Sequence, residues 1–153
     1  MYSTEVSRVV PAGRDAVWRA LTEPAALARW RVPDGMRGEV HELDPVAGGR
    51  VRMTLTYDDP AALGKTAGAS DTYSGTFVEV VPEERLVEEV AFESDDPTLR
   101  SVITVTTTLR AAADGHDGTE VGIRMDGVPE AVPAEDNEAG TRMALERLAR
   151  LVG

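Results

Sequence analysis

Alternation of apolar and polar residues predicts that the middle of the chain is antiparallel β-sheet. In GGRVRMTLTY, Val51, Met53, Leu55 and Tyr57 alternate with polar residues, as in a strand with one buried face. Related patterns, separated by turn sequences such as VPEER and DGHDG, predict further strands over 4–10, 37–43, 72–81, 85–92, 99–109 and 119–125. We therefore expect a sheet of about seven strands.

Apolar residues at helical spacing interrupt this pattern once, between the first two strands. Val17 and Leu21 lie four residues apart in GRDAVWRALTEP, and Pro24 ends this helix. Proline is tolerated at the first position of a helix, so Pro24 also opens a second short helix that carries Leu27 and Trp30. The sequence thus predicts two short helices in succession.

The chain closes with its longest helical pattern, PAEDNEAGTRMALERLARLVG. At about 100° per residue, with Leu148 at the centre, one face of this helix holds Asn137, Thr141, Ala144, Leu145, Leu151 and Val152. The face is bulky in its C-terminal half, whereas its N-terminal half is small and partly polar. A sheet with one apolar face needs a cover, and only this helix is long enough to provide it.

The thin half of the helix predicts a space between helix and sheet. Large side chains on the facing strands would line this space: Met53, Tyr57, Tyr73, Phe77 and Phe92. The alternative is that the same side chains fill the gap, because protein interiors are usually close-packed. In either case we expect an α+β fold in which residues 1–153 form a single domain.

Five segments resemble the START/Bet v 1-like superfamily: PAGRDAVWRALTEPAALARW, DPVAGGRVRM, YSGTFVEVVPEERLVEEV, GTEVGIRMDGVP and EAGTRMALERLARLV. More narrowly, they are similar to the bacterial branch related to the C-terminal domain of the Hsp90 ATPase activator. The resemblance covers nearly the whole chain in order. It implies a helix-grip fold, in which a curved antiparallel sheet wraps around a long C-terminal helix and encloses a hydrophobic pocket.

The resemblance also bears on individual pocket residues. Members of this branch often carry tryptophan straight after the glycine that here is Gly140, whereas this chain has Thr141. A small hydroxyl side chain there implies a roomier or more polar pocket beside Ala144. In this fold, the region of Trp30 and Met36 lies near the pocket entrance, so these residues are expected to gate it or to pack the helix pair onto the sheet.

Composition removes several classes of function. The net charge of −11 repels phosphate backbones and anionic membrane surfaces, so we expect neither nucleic acid nor a membrane as a partner. The chain has no cysteine, which excludes disulfides and thiolate sites. Because the N-terminus lacks a secretion signal and no stretch is long and apolar enough to span a bilayer, we expect a cytoplasmic protein.

Candidate chemistry is sparse. His41 and His116 have no closely spaced partner ligand, so we expect no metal site. No serine lies in a nucleophile-elbow motif, and VAGGR lacks a phosphate-loop pattern, so we expect no cofactor. Arg52 and Arg124 alternate with apolar neighbours and are expected to be exposed.

Glu88 is the candidate catalytic residue. In RLVEEVAF it shares strand parity with Leu86, Val90 and Phe92. A carboxyl group buried on that face would have a raised pKa and could act as a general acid or base. The alternative is that a bulge turns Glu88 outward and Glu89 inward.

Three functions follow from these observations. The first is a binding protein for a small hydrophobic or aromatic ligand, held between the sheet and the C-terminal helix. The second is an enzyme of the polyketide cyclase or aromatase type, using Glu88 with Tyr57 and Tyr73. The third is a protein-interaction adaptor similar to the Hsp90 activator, with a chaperone as partner. An exposed sheet edge would also permit a homodimer. The long loop 58–71 is predicted to be a lid or a mobile connection, with the second favoured.

Overall fold

The computed structural model describes residues 1–112 and 118–153, and its element order agrees with the sequence prediction. The elements are β1 (Tyr2–Val10), α1 (Arg14–Thr22), α2 (Pro24–Trp30), β2 (Met36–Leu43), β3 (Arg50–Tyr57), β4 (Ser70–Val81), β5 (Arg85–Phe92), β6 (Ile103–Ala111), β7 (Thr119–Val128) and α3 (Ala134–Val152). A 3₁₀ turn, Pro97–Leu99, precedes β6.

The strands form one antiparallel sheet in the order β1-β7-β6-β5-β4-β3-β2. Every neighbouring pair except β1 with β7 is consecutive in the chain, which is the arrangement that short hairpin connections favour. The helices α1 and α2 lie between β1 and β2 in the sequence. The predicted α+β helix-grip fold with seven strands is therefore confirmed.

Two features of β4 curve the sheet. The register between β4 and β5 shifts between Phe77 and Glu79, and such a bulge bends the strand that carries it. At Gly75 the backbones of β4 and β5 come so close that an added Cβ would lie 1.8 Å from the carbonyl oxygen of Glu89. Only glycine permits this approach.

The inner face of the curved sheet and the apolar face of α3 form the core. Leu145 and Leu148 of α3 are completely buried, and Thr141 and Ala144 are 6% exposed. The helix face predicted from the sequence is thus the buried one. The helix α3 packs against β1, α1 and α2.

The two ends of the inner face differ in exposure. At one end, which we call the closed end, the inward side chains are buried: Val10, Val51, Leu86, Leu109 and Val121. At the other end, which we call the open end, several inward side chains are only half-buried: Leu55, Tyr57, Tyr73, Phe92 and Met125. Asn137 contacts Thr4 and Met125, so the N-terminal, thin half of α3 lies at the open end.

The structure corrects the predicted start of β6. The sequence pattern placed the strand at 99–109, but β6 begins at Ile103. Pro97 follows Asp96, whose side chain accepts a hydrogen bond of 2.9 Å from the Thr98 backbone N–H, and this cap favours a 3₁₀ turn over a strand. Within the described ranges, no helix is both long and apolar enough to cross a membrane.

Candidate functional site

Glu88 lies inside the molecule. The residue is 3% exposed, whereas the neighbouring Glu89 is exposed. On the inner face, Phe77 of β4 is opposite Glu88 on one side and Val105 of β6 on the other. The inward orientation predicted from strand parity is correct, and the alternative in which Glu89 replaces Glu88 is excluded.

Arg31 provides the counter-ion of Glu88. It directly follows the end of α2, and its Nη1 atom is 3.7 Å from Oε2 of Glu88. The Arg31 side chain is 13% exposed and that of Glu88 is 4% exposed. The Arg31 guanidinium also lies over the Trp30 ring, 5.9 Å from its centroid. A buried carboxylate is thus held by a cation that keeps limited access to solvent.

Burial and pairing act in opposite directions on this pair. Burial raises the pKa of Glu88 above its ordinary value of 4.5, and Arg31 opposes part of that increase. Desolvation by itself would lower the pKa of Arg31, but the Glu88 carboxylate gives it a net increase. The guanidinium therefore stays charged, and Glu88 is the member of the pair that can exchange a proton.

Tyr73 adds a hydroxyl group to the same region. Its Oη donates a hydrogen bond of 3.2 Å to the Met53 sulfur, which is a weak acceptor. Desolvation raises the pKa of Tyr73 to about 12. Arg31 lowers this pKa and Glu88 raises it, and both effects are smaller than that of desolvation. The hydroxyl is therefore neutral and remains a donor at physiological pH.

Thr107 places a further hydroxyl group on the inner face. It is 1% exposed, and within the described residues its Oγ1 has no hydrogen-bond partner. Thr107 lies two residues along β6 from Val105, the cross-strand neighbour of Glu88, so the two residues are diagonal neighbours in the sheet.

The structure brings most of the predicted pocket residues together. Met53 is paired with Tyr73 and Tyr73 with Phe92, so these three residues are cross-strand neighbours, whereas Phe77 is paired with Glu88 four residues further along β4. Met36 is paired with Tyr57 at the open end of the sheet. On α3, Thr141 and Ala144 are both buried.

Hydrogen bonds define the roles of two of these residues: Trp30 packs, as the second alternative predicted, and Thr141 bonds its own helix. Trp30 is 1% exposed, and its Nε1 donates a hydrogen bond of 2.7 Å to the Ala20 carbonyl at the end of α1. The Thr141 hydroxyl donates to the Asn137 carbonyl of its own helix at 3.0 Å. Threonine commonly bonds its own helix in this way, so Thr141 makes the interior roomier than tryptophan would without offering a free hydroxyl group.

The long loop between β3 and β4 is anchored to the open end. Lys65 Nζ is 2.9 Å from Oδ2 of Asp71, which is 3% exposed, and the Lys65 backbone N–H donates to the same carboxylate. The Lys65 ammonium group also lies 5.5 Å from the centroid of the Phe92 ring. The loop thus borders the open end instead of extending freely from it.

Other predicted features lie away from this region. His41 is exposed, with Nε2 2.8 Å from Thr54 Oγ1, and His116 is outside the described residues. Arg52 and Arg124 are on the outer face, as predicted. Outer depressions of about 400 Å³, between α1, α2 and the end of α3, and about 250 Å³, between β1 and α3, are not lined by Arg31, Tyr73 or Glu88.

Arg31 was missed by sequence reasoning. It lies between α2 and β2, so neither helical spacing nor strand alternation predicts whether its side chain is buried or exposed. Its position next to Trp30, directly after a helix with an apolar face, is the one local signal that could have drawn attention to it.

Comparison with solved structures supports the fold. A protein from Chromobacterium violaceum is 28% identical, with 99% of this chain and 98% of that chain covered and a TM-score of 0.84. A protein from Rhodobacter sphaeroides is 23% identical, with 98% and 91% covered and a TM-score of 0.79. An AHSA1-like protein from Aeromonas hydrophila is 22% identical, with 97% and 92% covered and a TM-score of 0.69.

Curated protein sequences give no significant match to the chain. The family model described as "Activator of Hsp90 ATPase homolog 1-like protein", in contrast, matches residues 11–153. This match covers more than half of the chain and agrees with the seven-stranded helix-grip fold. The chain therefore belongs to the Activator of Hsp90 ATPase homolog 1-like family.

Proposed function

We propose that this protein is a cytoplasmic binding protein for a small hydrophobic or aromatic molecule, which it holds between the inner face of the sheet and α3. The observation that supports this proposal is the exposure of apolar side chains at the open end. There, inward-facing apolar and aromatic side chains keep exposed surface beside the thin half of α3, whereas the inward side chains named at the closed end are buried. Burial of apolar ligand surface against these side chains would drive binding.

The proposed ligand contacts are the residues predicted from the sequence. Met36 and Tyr57 would lie at the entrance, and Thr141 and Ala144 would form the wall on α3. Met53, Tyr73, Phe77 and Phe92 would form the floor on the sheet. Because its indole N–H is bonded to α1, Trp30 would act as a fixed wall and not as a moving gate.

Substitution of Thr141 by tryptophan tests this proposal. We expect the wild-type protein to bind the neutral fluorophore N-phenyl-1-naphthylamine with an increase in fluorescence. We expect Thr141→Trp to weaken this binding about tenfold or more, because the indole ring would occupy the proposed space. Overpacking of an already filled core typically costs about 1–3 kcal/mol, so a stable Thr141→Trp variant would also indicate spare volume.

A tryptophan on the opposite face of α3 provides the matched control. Glu146 is exposed, and Glu146→Trp should leave probe binding unchanged. Equal binding by the wild-type protein and Thr141→Trp, or no binding by the wild-type protein, would contradict the proposed site.

The buried carboxyl group favours an enzyme as the second candidate function. Glu88 has a raised pKa and faces the proposed pocket near the Tyr73 hydroxyl, as a general acid or base requires. A cyclase or aromatase would convert a linear poly-β-ketone into a cyclic product, which mass spectrometry detects. Glu88→Gln should slow that conversion by about 10²- to 10⁴-fold.

The family description supports an adaptor role as a further alternative. Direct binding to a purified Hsp90-type chaperone tests it. Because docking would use the outer surface, Thr141→Trp should leave chaperone binding unchanged while it removes ligand binding.

A further inference from the structure

We infer that the pocket selects apolar monocarboxylic acids: the ligand carboxylate pairs with Arg31, and Glu88 is displaced and takes up a proton. This inference rests on the proposed function, because it specifies the ligand of the same site. It is carried by the loose geometry of the Arg31–Glu88 pair and by the buried hydroxyl groups around it.

The hydrogen-bonding capacity of Arg31 is unused in the structure. A guanidinium group presents a planar fork of five N–H donors that fits a carboxylate in a bidentate manner. Within the described residues Arg31 makes no side-chain hydrogen bond, and its contact with Glu88 is 3.7 Å, well beyond the roughly 2.7–2.9 Å of a charge-assisted hydrogen bond. Its side chain is 13% exposed, so the guanidinium group keeps limited access to solvent.

The neighbouring hydroxyl groups are also available. Tyr73 donates only to a thioether sulfur, and Thr107 has no partner among the described residues. Both lie on the inner face: Tyr73 is paired with Phe92, four residues along β5 from Glu88, and Thr107 is paired with Leu86, two residues from Glu88 in the other direction. A carboxylate on Arg31 could replace the Met53 sulfur as the acceptor of the Tyr73 hydroxyl, which would be a stronger hydrogen bond.

The charge balance of the buried site explains why Glu88 should take up a proton when a carboxylate binds. With Arg31 and Glu88 ionised, the buried pair is neutral, and a bound carboxylate would add a negative charge where burial makes it costly. Protonation of Glu88 from solvent restores neutrality, since only an O–H bond forms and no other bond changes. Ionised Glu88 would otherwise lose its counter-ion to the ligand.

No other charged side chain in the described structure faces Glu88. Tyr73 and Phe77 face it from β4, Val105 and Thr107 from β6, and Arg31 from the end of α2. The buried face of α3 is uncharged and consists of Thr141, Ala144, Leu145 and Leu148. Lys65 and Asp71 lie at the open end as a neutral pair.

Calorimetric titration with two matched probes tests the inference. The probes are 2-naphthoate and its neutral analogue 2-naphthamide, titrated in buffers of different ionisation enthalpy. We expect naphthoate to bind about 10- to 100-fold more tightly than naphthamide, because its hydrogen bonds to Arg31 are charge-assisted. We also expect naphthoate binding to take up as much as roughly one proton, and naphthamide binding to take up none.

The pH dependence has a definite sign. Below the pKa of Glu88 in the free protein, the carboxyl group is already protonated and no proton is taken up. As the pH rises above that value, uptake approaches one proton and the naphthoate affinity falls, at most about tenfold per pH unit. Glu88→Gln should bind naphthoate without proton uptake, and Arg31→Gln should remove the preference for naphthoate over naphthamide.

The results separate this inference from the proposed function. Binding of both probes with equal affinity, or preferential binding of naphthoate without proton uptake by the wild-type protein, would overturn the inference and leave hydrophobic ligand binding intact. Failure of the wild-type protein to bind either naphthalene probe or N-phenyl-1-naphthylamine would overturn both. Because the proton count of the wild-type protein decides the matter, the test does not depend on either variant folding.

Discussion

Arg31 and Glu88 form the most consequential residue pair in the molecule. A buried ion pair recovers its desolvation cost only when its geometry and hydrogen bonding are good, and at 3.7 Å this pair is loose. Each residue offsets the free-energy cost of burying the charge of the other, so the two residues depend on each other for stability. Removal of one member should cost far more than removal of both.

Substitution of Arg31 tests this dependence. Arg31→Met should lower the free energy of unfolding by about 3 kcal/mol at neutral pH, because it leaves a buried carboxylate without a counter-ion. Arg31→Met with Glu88→Met should recover most of that loss. Without Arg31 the pKa of Glu88 rises further, so stability is retained near and below 4.5 and lost as the pH rises through the folded-state value. Urea unfolding at several pH values measures all three effects.

The Arg52–Glu93 pair on the outer face is the matched control. Its atoms are closer, at 2.8 Å, but both side chains are more than a third exposed. Arg52→Met should therefore destabilise the protein much less than Arg31→Met, since solvent screens exposed pairs. A pH-independent loss in Arg31→Met, or a double variant as unstable as the single one, would contradict the proposed dependence.

Arg31 and Glu88 also show which features of a single residue can be predicted from the sequence. The inward orientation of Glu88 was predictable because strand parity is a local property that its apolar neighbours define. The partner of Glu88 was not, because Arg31 reaches it only through the packing of α2 on the sheet, 57 residues earlier in the chain. Pairing across such a distance has no periodic signal.

At the scale of elements, the β3–β4 loop differs most from its sequence pattern. Glycine and alanine content favoured a mobile connection, and the structure adds that Lys65 and the buried Asp71 tie the loop to the start of β4. The Thr66 hydroxyl donates to the Ser70 carbonyl at 2.9 Å, which closes a turn within the loop. A few specific hydrogen bonds thus replace the apolar packing that the loop lacks.

Asp71→Asn should release this loop. The change removes the charge that Lys65 pairs with, and hydrogen bonds to charged groups typically contribute about 1.5–3 kcal/mol. We expect faster amide hydrogen exchange over residues 59–69 and unchanged exchange in β6 and β7. Asp59→Asn is the control, because Asp59 is exposed and its Oδ1 accepts only from the Ala61 N–H of the same loop. Uniformly faster exchange throughout the sheet would show a global effect instead.

The helices and strands themselves were largely predictable. Strand β3 and strand β5 have the bounds that alternation gives, because one face of each is buried and the other is not. The start of β6 was missed because capping by Asp96 is a local hydrogen-bond effect that competes with the apolar pattern around Leu99. The curvature of β4 was also beyond prediction, since the bulge and the close approach at Gly75 depend on β5.

At the scale of the whole molecule, carboxylates on the outer face of the sheet make the free energy of unfolding depend on pH. Hydrogen bonding to Arg52 holds the pKa of Glu93 below its ordinary value of 4.5. Hydrogen bonds from Ser3 and Arg124 likewise hold the pKa of Asp126 below 3.8. Both carboxylates lie on the outer face of the sheet. Asp126 joins β7 to its neighbour β1 through Ser3, and Glu93 joins the end of β5 to β3, across β4, through Arg52.

This arrangement predicts acid sensitivity. A lowered folded-state pKa gives stability that is present above the unfolded-state value and lost as the pH falls through the folded-state value. The free energy of unfolding should therefore fall as the pH drops through and below the ordinary carboxyl values of 4.5 and 3.8. Glu93→Gln with Asp126→Asn should flatten this decrease, as measured by urea unfolding across that range. An unchanged slope in the double variant would assign acid sensitivity to other groups.

The contrast between the closed and open ends has a consequence for how such a protein can change. The inward side chains named at the closed end are buried in the core, whereas several of the half-buried side chains at the open end are among those proposed to meet a ligand. Substitutions at the second set should then alter which molecule is carried while the architecture survives. Related proteins could in this way acquire new ligand specificities through single substitutions at the open end, without first becoming unstable.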